Sequence, residues 1–393
     1  MRVTHVITRL VVGGAQENTI ASVLGLRQKP GLELRLISGP QTGPEGSLKP
    51  RLDSFPGLLT ILPELVRSVH PWRDWIALRK LTLIFREQRP HLVHTHSGKA
   101  GVLGRIAAAK ARVPIIVHHI HGPSFGSFQG AFANLIFRNA ERYAARNTTH
   151  FICSAHAMTR LYLAADIGRP EQFTRILSGF DLKPYADLAN DPALRARLGI
   201  PTNAFVIGKI ARLSPLKGHE DLFAAFQQLL PRCPNARLLL IGEGALRSQF
   251  EARLQTLGIA DKVSFTGLLP PDEVPRHIAL MDCLAHLSYR EALSRALPQA
   301  LAAGKPVVAY DFDGADEACL EGKTGFLVRT GEVGQVTARL LQLAGDPSLR
   351  KRLGESGRVF AFEHFPVERL IEEQYQLYRR LATMSAQFGE PSC

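Results

Sequence analysis

The apolar residues of this chain fall into short runs, each followed by a turn and then by a longer segment with apolar positions at helical spacing. The first run, Arg2–Leu10, alternates apolar and polar positions and passes through Val11-Val12-Gly13-Gly14-Ala15-Gln16 into a helical pattern from about Glu17 to Gly25. Similar runs at Leu32–Ser38, Ile61–Val69, His91–Thr95, Pro114–Ile120, His150–Ser154 and Arg175–Ser178 alternate with helical segments. The pattern then starts again, with strands expected at Ala204–Ile210, Arg237–Ile241, Val263–Thr266, Met281–Leu287, Pro306–Tyr310 and Gly325–Val328. Strand-then-helix alternation of this kind implies parallel sheets, so the expected class is α/β with two doubly wound, Rossmann-like domains. Ligands of such sheets bind outside the carboxyl ends of the strands, and two facing domains would place those ends around a cleft. A length of 393 residues suits two ordinary domains. Residues 184–203, with Pro184, Pro192 and Pro201 in a mainly polar setting, read as the linker between a first domain, 1–183, and a second, 204–365.

Within the second set, Glu291–Pro306 (EALSRALPQALAAGKP) carries the densest chemistry. Its Ala and Leu content makes Ser294–Ala303 a helix, with Ser294 as N-cap and Gly304 at C′. First-turn N–H groups are unpaired and the helix dipole is positive there, so an anion site is expected, with Glu291 beside it to accept from hydroxyls. Another turn reads Arg212-Leu213-Ser214-Pro215-Leu216-Lys217-Gly218-His219, and a further strand ends in Gly242-Glu243-Gly244. The Gly13-Gly14 pair is not a GxGxxG fingerprint, yet it permits close backbone approach to a phosphate or sugar.

Charge adds an asymmetry. Residues 1–183 hold 24 Lys and Arg against 11 Asp and Glu, whereas 24 basic and 24 acidic residues cancel in the remainder. The whole formal excess of +13 therefore lies in the first half. A basic half beside a neutral one is expected to meet a phosphorylated substrate, an anionic membrane or nucleic acid. No aromatic-and-basic platform or reader helix supports nucleic acid. The helix at 70–88 sets Trp72 and Trp75 among Arg73, Arg79, Lys80 and Arg86, which suits packing on its own sheet or lying on a membrane. Phe125, Phe128 and Phe132 sit in a Gly- and Ser-containing loop with the same two options. Five scattered cysteines without a CxxC pair fit reduced thiols. No signal-peptide pattern and no long apolar run is present, so a cytoplasmic location is expected.

In order and spacing, Arg212, Lys217-Gly218, the Glu291 stretch and Ala300–Ala309 (ALAAGKPVVA) resemble the family 4 glycosyltransferases, and the resemblance runs from residue 1 to about 380. It implies the GT-B fold and sugar transfer, with retention of configuration, from a UDP- or GDP-linked donor without a metal ion. By the same resemblance Arg212 and Lys217 bind the donor diphosphate, and Glu291 contacts the transferred sugar. The N–H groups near Leu293, Ser294 and Arg295 face sugar and phosphate. His121 lies against the sugar, and Gly13, Gly14, Gly242 and Gly244 belong to turns near the donor. The physics agrees: two fixed cations can stabilise a leaving diphosphate. One position departs. Eight residues after Glu291 the family has a second glutamate, which holds the ribose hydroxyls, and here it is Gln299. An amide accepts one hydrogen bond and donates another where a carboxylate accepts both, so donor binding is expected to weaken by about 1 kcal/mol. The first domain is implied to bind the acceptor, a glycan or an anionic lipid-linked one. That use fits the basic half and a peripheral contact with the inner face of a membrane. A closing helix, 366–393, is implied to return to the first domain. The rival readings are a nucleotide-sugar epimerase of the same fold and a non-catalytic nucleotide-sugar-binding protein.

Overall fold

The computed structural model of the chain describes residues 1–41, 46–96, 98–126 and 128–387. Part of the loop that carries Phe125, Phe128 and Phe132, and the end of the expected closing helix, lie outside the described residues. The chain divides into two units, Met1–Gly179 with Val367–Cys393, and Phe180–Pro366.

In the first unit seven strands form one parallel sheet. They are β1 (Arg2–Ile7), β2 (Glu33–Ser38), β3 (Leu59–Ile61), β4 (Leu92–His96), β5 (Ile115–Ile120), β6 (His150–Cys153) and β7 (Phe173–Arg175), in the order β3-β2-β1-β4-β5-β6-β7. Successive side chains leave opposite faces, and both faces are apolar. Val3, Leu36, Leu92 and Ile115 enter one core with Leu370 and Tyr378 of the closing helix Val367–Gln387. Val6, Ile37, Val93 and Ile116 enter another with Leu81 and Phe85 of the helix Pro71–Gln88. A sheet buried on both faces is what near-continuous apolar strands require. The strand expected at Ile61–Val69 instead ends at Ile61, two residues before Pro63, which can donate nothing to a ladder.

The helix Pro71–Gln88 buries Ala77, Leu81 and Phe85 but leaves Trp72 64% and Trp75 45% exposed. The two indoles stack at 5.1 Å, with Arg79 over Trp75. Of the loop phenylalanines, Phe125 is buried, whereas Phe132 is exposed on the helix Ala131–Ala145. Beneath the same layer Arg105 and Glu141 form an ion pair at 2.5 Å with no appreciable exposure. Arg105 Nε also donates to the Gly101 carbonyl. Removing one partner of such a pair strands a buried charge, so Glu141→Ala should cost about 3–5 kcal/mol in urea unfolding. A cost below about 1 kcal/mol would show that water reaches the pair.

The second unit repeats the plan with β8 (Val206–Ile210), β9 (Arg237–Ile241), β10 (Val263–Phe265), β11 (Cys283–His286), β12 (Val307–Tyr310) and β13 (Gly325–Val328), in the order β10-β9-β8-β11-β12-β13. Strand order reverses beside β1 and β8, which opens a crevice beyond the carboxyl ends of β1/β4 and of β8/β11. The stretch 184–203, expected as a linker, is built into this unit. Asp191 caps the short helix Pro192–Arg197, and the guanidinium of buried Arg195 donates to the carbonyls of Pro201, Ala204 and Leu280. Prolines and polar residues suggested an exposed tether, but they serve a cap and a clamp.

Candidate functional site

The loop after β8 and the loop after β11 are pinned together. Leu216 adopts a left-handed φ of 65°, and its carbonyl accepts from Tyr289 N at 2.9 Å and from the Ser288 hydroxyl at 3.2 Å. At Gly218, also at φ 65°, a Cβ would lie 1.8 Å from the Leu287 carbonyl oxygen, so only glycine lets the strands' ends approach. This contact delivers Lys217 to Glu291, with which it forms an ion pair. Arg212, by contrast, is exposed and engages no acid among the described residues. The Lys217 side chain retains 16% exposure and that of Glu291 29%, so both can reach a ligand.

Gly242 and Gly244 have a local role. A Cβ at either would lie 2.1 or 2.3 Å from the carbonyl oxygens of Ala211 and Leu213. They let the turn after β9 press against the loop that carries Arg212, with Leu213 N donating to the Glu243 carbonyl at 3.1 Å. In the first unit, Gly13 is extended and precedes the helix Gly14–Leu26, which therefore starts at the glycine pair rather than at Glu17.

The stretch after Glu291 differs from expectation. Glu291 N donates to Asp313 Oδ2 at 2.9 Å, and Gly314 N donates to the Ala292 carbonyl. These bonds tie residues 291–292 to the loop after β12, so the helix covers only Ala296–Ala302. Ser294 Oγ still accepts from Ala296 N, at 3.4 Å, and Gly304 closes the helix at φ 68°. A helix of two turns has a small dipole, and the cations on the adjoining loop are Arg212 and Lys217. Leu293 is buried, and the Arg295 guanidinium lies over the Phe180 ring at 5.7 Å. Gln299 is buried, with its amide nitrogen donating to the Tyr185 hydroxyl at 2.8 Å, which leaves its carbonyl oxygen and one N–H for other partners. A small pocket beside this loop is lined by His286, Ser288, Glu291, Ser294, Tyr310 and Phe312.

Under the loops lies a charged layer that the residue pattern did not reveal. Burial raises Asp313 from 3.8 to about 6, opposed by the hydrogen bond from the Glu291 backbone N–H and reinforced by the Glu291 charge. Asp221 accepts from the hydroxyls of Tyr289 and Tyr310. Lys209 of β8 is 2% exposed. Burial first, and then the Lys217 charge, lowers it from 10.5 to about 7. A base depressed in the native state binds fewer protons there than when unfolded, so stability rises with pH from 7 towards 10.5. Lys209→Met should therefore stabilise the protein at pH 7 by on the order of 3 kcal/mol and flatten that rise. Urea midpoints at pH 7 and 9.5 check it; a slope that persists in the variant would place the proton elsewhere.

In the first unit, His121 follows β5 and belongs to a stack of imidazoles. Residues two apart share a strand face, so His94 with His96, and His119 with His121, project together. The register sets His5 beside His94 and His96 beside His119. His119 and His121 stack at 3.8 Å, and His96 and His121 at 5.3 Å. His5, His94 and His96, and again His96, His119 and His121, each bring one nitrogen within 4.8 Å of the others, a spacing that could hold a metal ion. The paired histidines on two adjacent strands, HTH and HIH, were the signal for this cluster; only His121 was picked from it.

Two family models match the chain: the glycosyl transferase 4-like domain over residues 13–179 and the glycosyl transferases group 1 over residues 190–360. An Escherichia coli UDP-Gal:alpha-D-GlcNAc-diphosphoundecaprenol alpha-1,3-galactosyltransferase is 26% identical over 292 residues, 73% of this chain and 75% of that protein. A GDP-mannose-dependent alpha-(1-6)-phosphatidylinositol monomannoside mannosyltransferase of Mycolicibacterium smegmatis is 29% identical over 67% of this chain and 69% of its own length. The crystal structure of Anabaena HepE in complex with UDP-glucose superposes with a TM-score of 0.82 at 25% identity, covering 97% of this chain and all of that one.

Proposed function

The chain belongs to the family 4 glycosyltransferases of the GT-B fold, and from that premise we propose that it moves a sugar from a UDP-linked donor to a hydroxyl of a glycan or lipid-linked acceptor, with retention and without a metal. The observation that carries the reading is Arg212, an exposed cation that engages no acid among the described residues, on the same loop as Lys217, which is paired with Glu291 of the adjoining loop. In this reading the two cations take the diphosphate as negative charge builds on it. Glu291, held in place by Lys217 and by the Asp313–backbone bond, accepts from hydroxyls of the sugar. The carbonyl oxygen of Gln299 accepts from one ribose hydroxyl while one of its amide hydrogens is held by Tyr185. UDP is preferred because the E. coli relative uses UDP-Gal and HepE holds UDP-glucose.

Retention follows if the acceptor hydroxyl attacks on the leaving-group face and passes its proton to a phosphate oxygen. A covalent sugar adduct on a carboxylate would overturn that step. The first unit takes the acceptor, and its basic excess, with Trp72, Trp75 and Phe132 exposed, suits a peripheral contact with anionic lipid. No helix among the described residues is long and apolar enough to cross a membrane.

One assay tests both halves. The protein is incubated with a panel of UDP-sugars and with vesicles of anionic or neutral lipid. A single UDP-sugar should raise the thermal midpoint, and the protein should float with anionic vesicles alone. No shift with any UDP-sugar, together with a shift for a GDP-sugar, would reassign the donor; equal flotation with neutral vesicles would remove the charge argument.

A further inference from the structure

The imidazole stack contains an unbroken hydrogen-bonded chain. His121 Nε2 meets His96 Nδ1 at 3.0 Å, and His96 Nε2 meets His5 Nδ1 at 2.9 Å. His5 Nε2 meets the Tyr378 hydroxyl at 3.2 Å, and that hydroxyl meets His94 Nδ1 at 2.5 Å. His94 Nε2, the far end, is buried without a partner. Burial holds His5, His94, His96 and His121 well below the ordinary imidazole pKa, so each is neutral near pH 7 and carries one N–H.

A neutral imidazole has one donor and one acceptor nitrogen, and a tyrosine hydroxyl has one hydrogen. Each histidine passes on the direction of its link, and where the Tyr378 hydroxyl both donates and accepts, two arrangements exist; a third, in which it accepts from both His5 and His94, would leave its own buried hydrogen without an acceptor. In one, His121 donates inward and the last hydrogen sits on His94 Nε2, a buried donor with nothing to receive it. In the other, His94 Nδ1–H donates to Tyr378, Tyr378 to His5 Nε2, His5 Nδ1–H to His96 and His96 Nδ1–H to His121 Nε2. The orphan is then a lone pair, and buried N–H groups without acceptors are the rarer of the two.

We propose that Tyr378, through His5 and His96, locks His121 as its Nδ1–H tautomer, so that the strand end presents a hydrogen-bond donor. Tyr378 is a positioning residue, anchored on the closing helix. The consequence for transfer rests on the reading that His121 faces the transferred sugar; the tautomer itself does not. The ring arrangement favours this over a metal centre. His119 and His121 are stacked 21° from parallel, so their lone pairs run side by side rather than converge on a point.

The test is a two-bond ¹⁵N–¹H correlation on full-length protein labelled at histidine, with His121 assigned by difference from His121→Gln. In the wild type His121 should show the Nδ1–H form alone. In Tyr378→Phe the link between His94 and His5 is gone, and both tautomers should appear at His121. Transfer kcat should then fall about tenfold while KM for the donor stays within twofold. A wild-type His121 in the Nε2–H form, an unchanged tautomer in Tyr378→Phe, or one equivalent of tightly held zinc in the isolated protein would each overturn the proposal. A changed tautomer with unchanged transfer would uphold the relay and remove His121 from the sugar. The wild-type spectrum decides even if the variant does not fold.

Discussion

Lowering the pH from 6.5 to 5.5 should bring the first unit close to unfolding while the second remains folded. Burial lowers His5 and His121 to about 3 and holds His94, His96, His118 and His119 well below 6.5. Neighbouring charges add to it, Arg105 foremost at His118. In the unfolded chain these groups titrate near 6.5. A base whose native pKa lies below its unfolded one leaves stability intact above the unfolded value. As the pH falls the unfolded state takes up protons that the native state refuses, and stability is lost. One unit below 6.5 each group costs about 1.4 kcal/mol, and six together about 8 kcal/mol, against a usual total of about 5–15 kcal/mol. In the second unit, by comparison, His219 at about 3 and His286 are depressed in this way. Urea unfolding followed by hydrogen exchange, which separates the units, should show the first losing most of its protection between pH 6.5 and 5.5. A flat profile there would mean that the stack takes up protons without unfolding.

The succession of strands was readable because each parallel strand is apolar on both faces and ends in a turn, and the strands differ from expectation only at their margins. The stretch 184–203 was misread because Pro192 and Asp191 mark a helix start as readily as a tether, and because the clamp made by Arg195 is set by distant carbonyls. The helix after Glu291 was placed two residues early because Asp313, more than twenty positions away, takes its backbone N–H. Propensity counts local residues and does not see such partners. Arg212, Lys217 and Glu291 stood out by spacing. Lys209, Asp221 and Tyr378 did not, since a single polar residue within an apolar strand or helix gives no period to detect. Gly242 and Gly244 were noticed as turn residues, but their close approach to the backbone of 211–213 depends on a distant loop and was not legible in the sequence.

Lys209 also bears on how the site is loaded. Its proton is held weakly because Lys217 is near and water is not. A diphosphate brought to the loop after β8 would reverse that balance, so the layer beneath the loops is least stable when empty. Stability withheld from the unliganded state in this way is recovered on binding, which is one route by which a site trades fold stability for affinity.

The largest loss of transfer should come from Lys217→Met, at about 10³–10⁴-fold in kcat/KM, with Arg212→Ala nearer 10²–10³-fold. In the proposed reading both remove a positive charge from the leaving diphosphate, but the two positions differ. Arg212 is exposed and engages no acid, so its loss subtracts one cation. Lys217 is paired with Glu291, so its loss also leaves a carboxylate facing the developing phosphate charge. Repulsion then adds to the missing attraction. The distinction is measurable by a double-mutant cycle. Glu291→Gln alone removes an acceptor for the sugar and should cost about 10²-fold. Combined with Lys217→Met it also removes the repulsion, so the double variant should be less impaired than the product of the singles by at least tenfold, a coupling of about 1.4 kcal/mol. Arg212→Ala with Glu291→Gln should be closer to additive. If Lys217→Met and Arg212→Ala both stay within tenfold of the wild type, the diphosphate is held elsewhere, and the loop after β8 is a structural turn that happens to carry two cations.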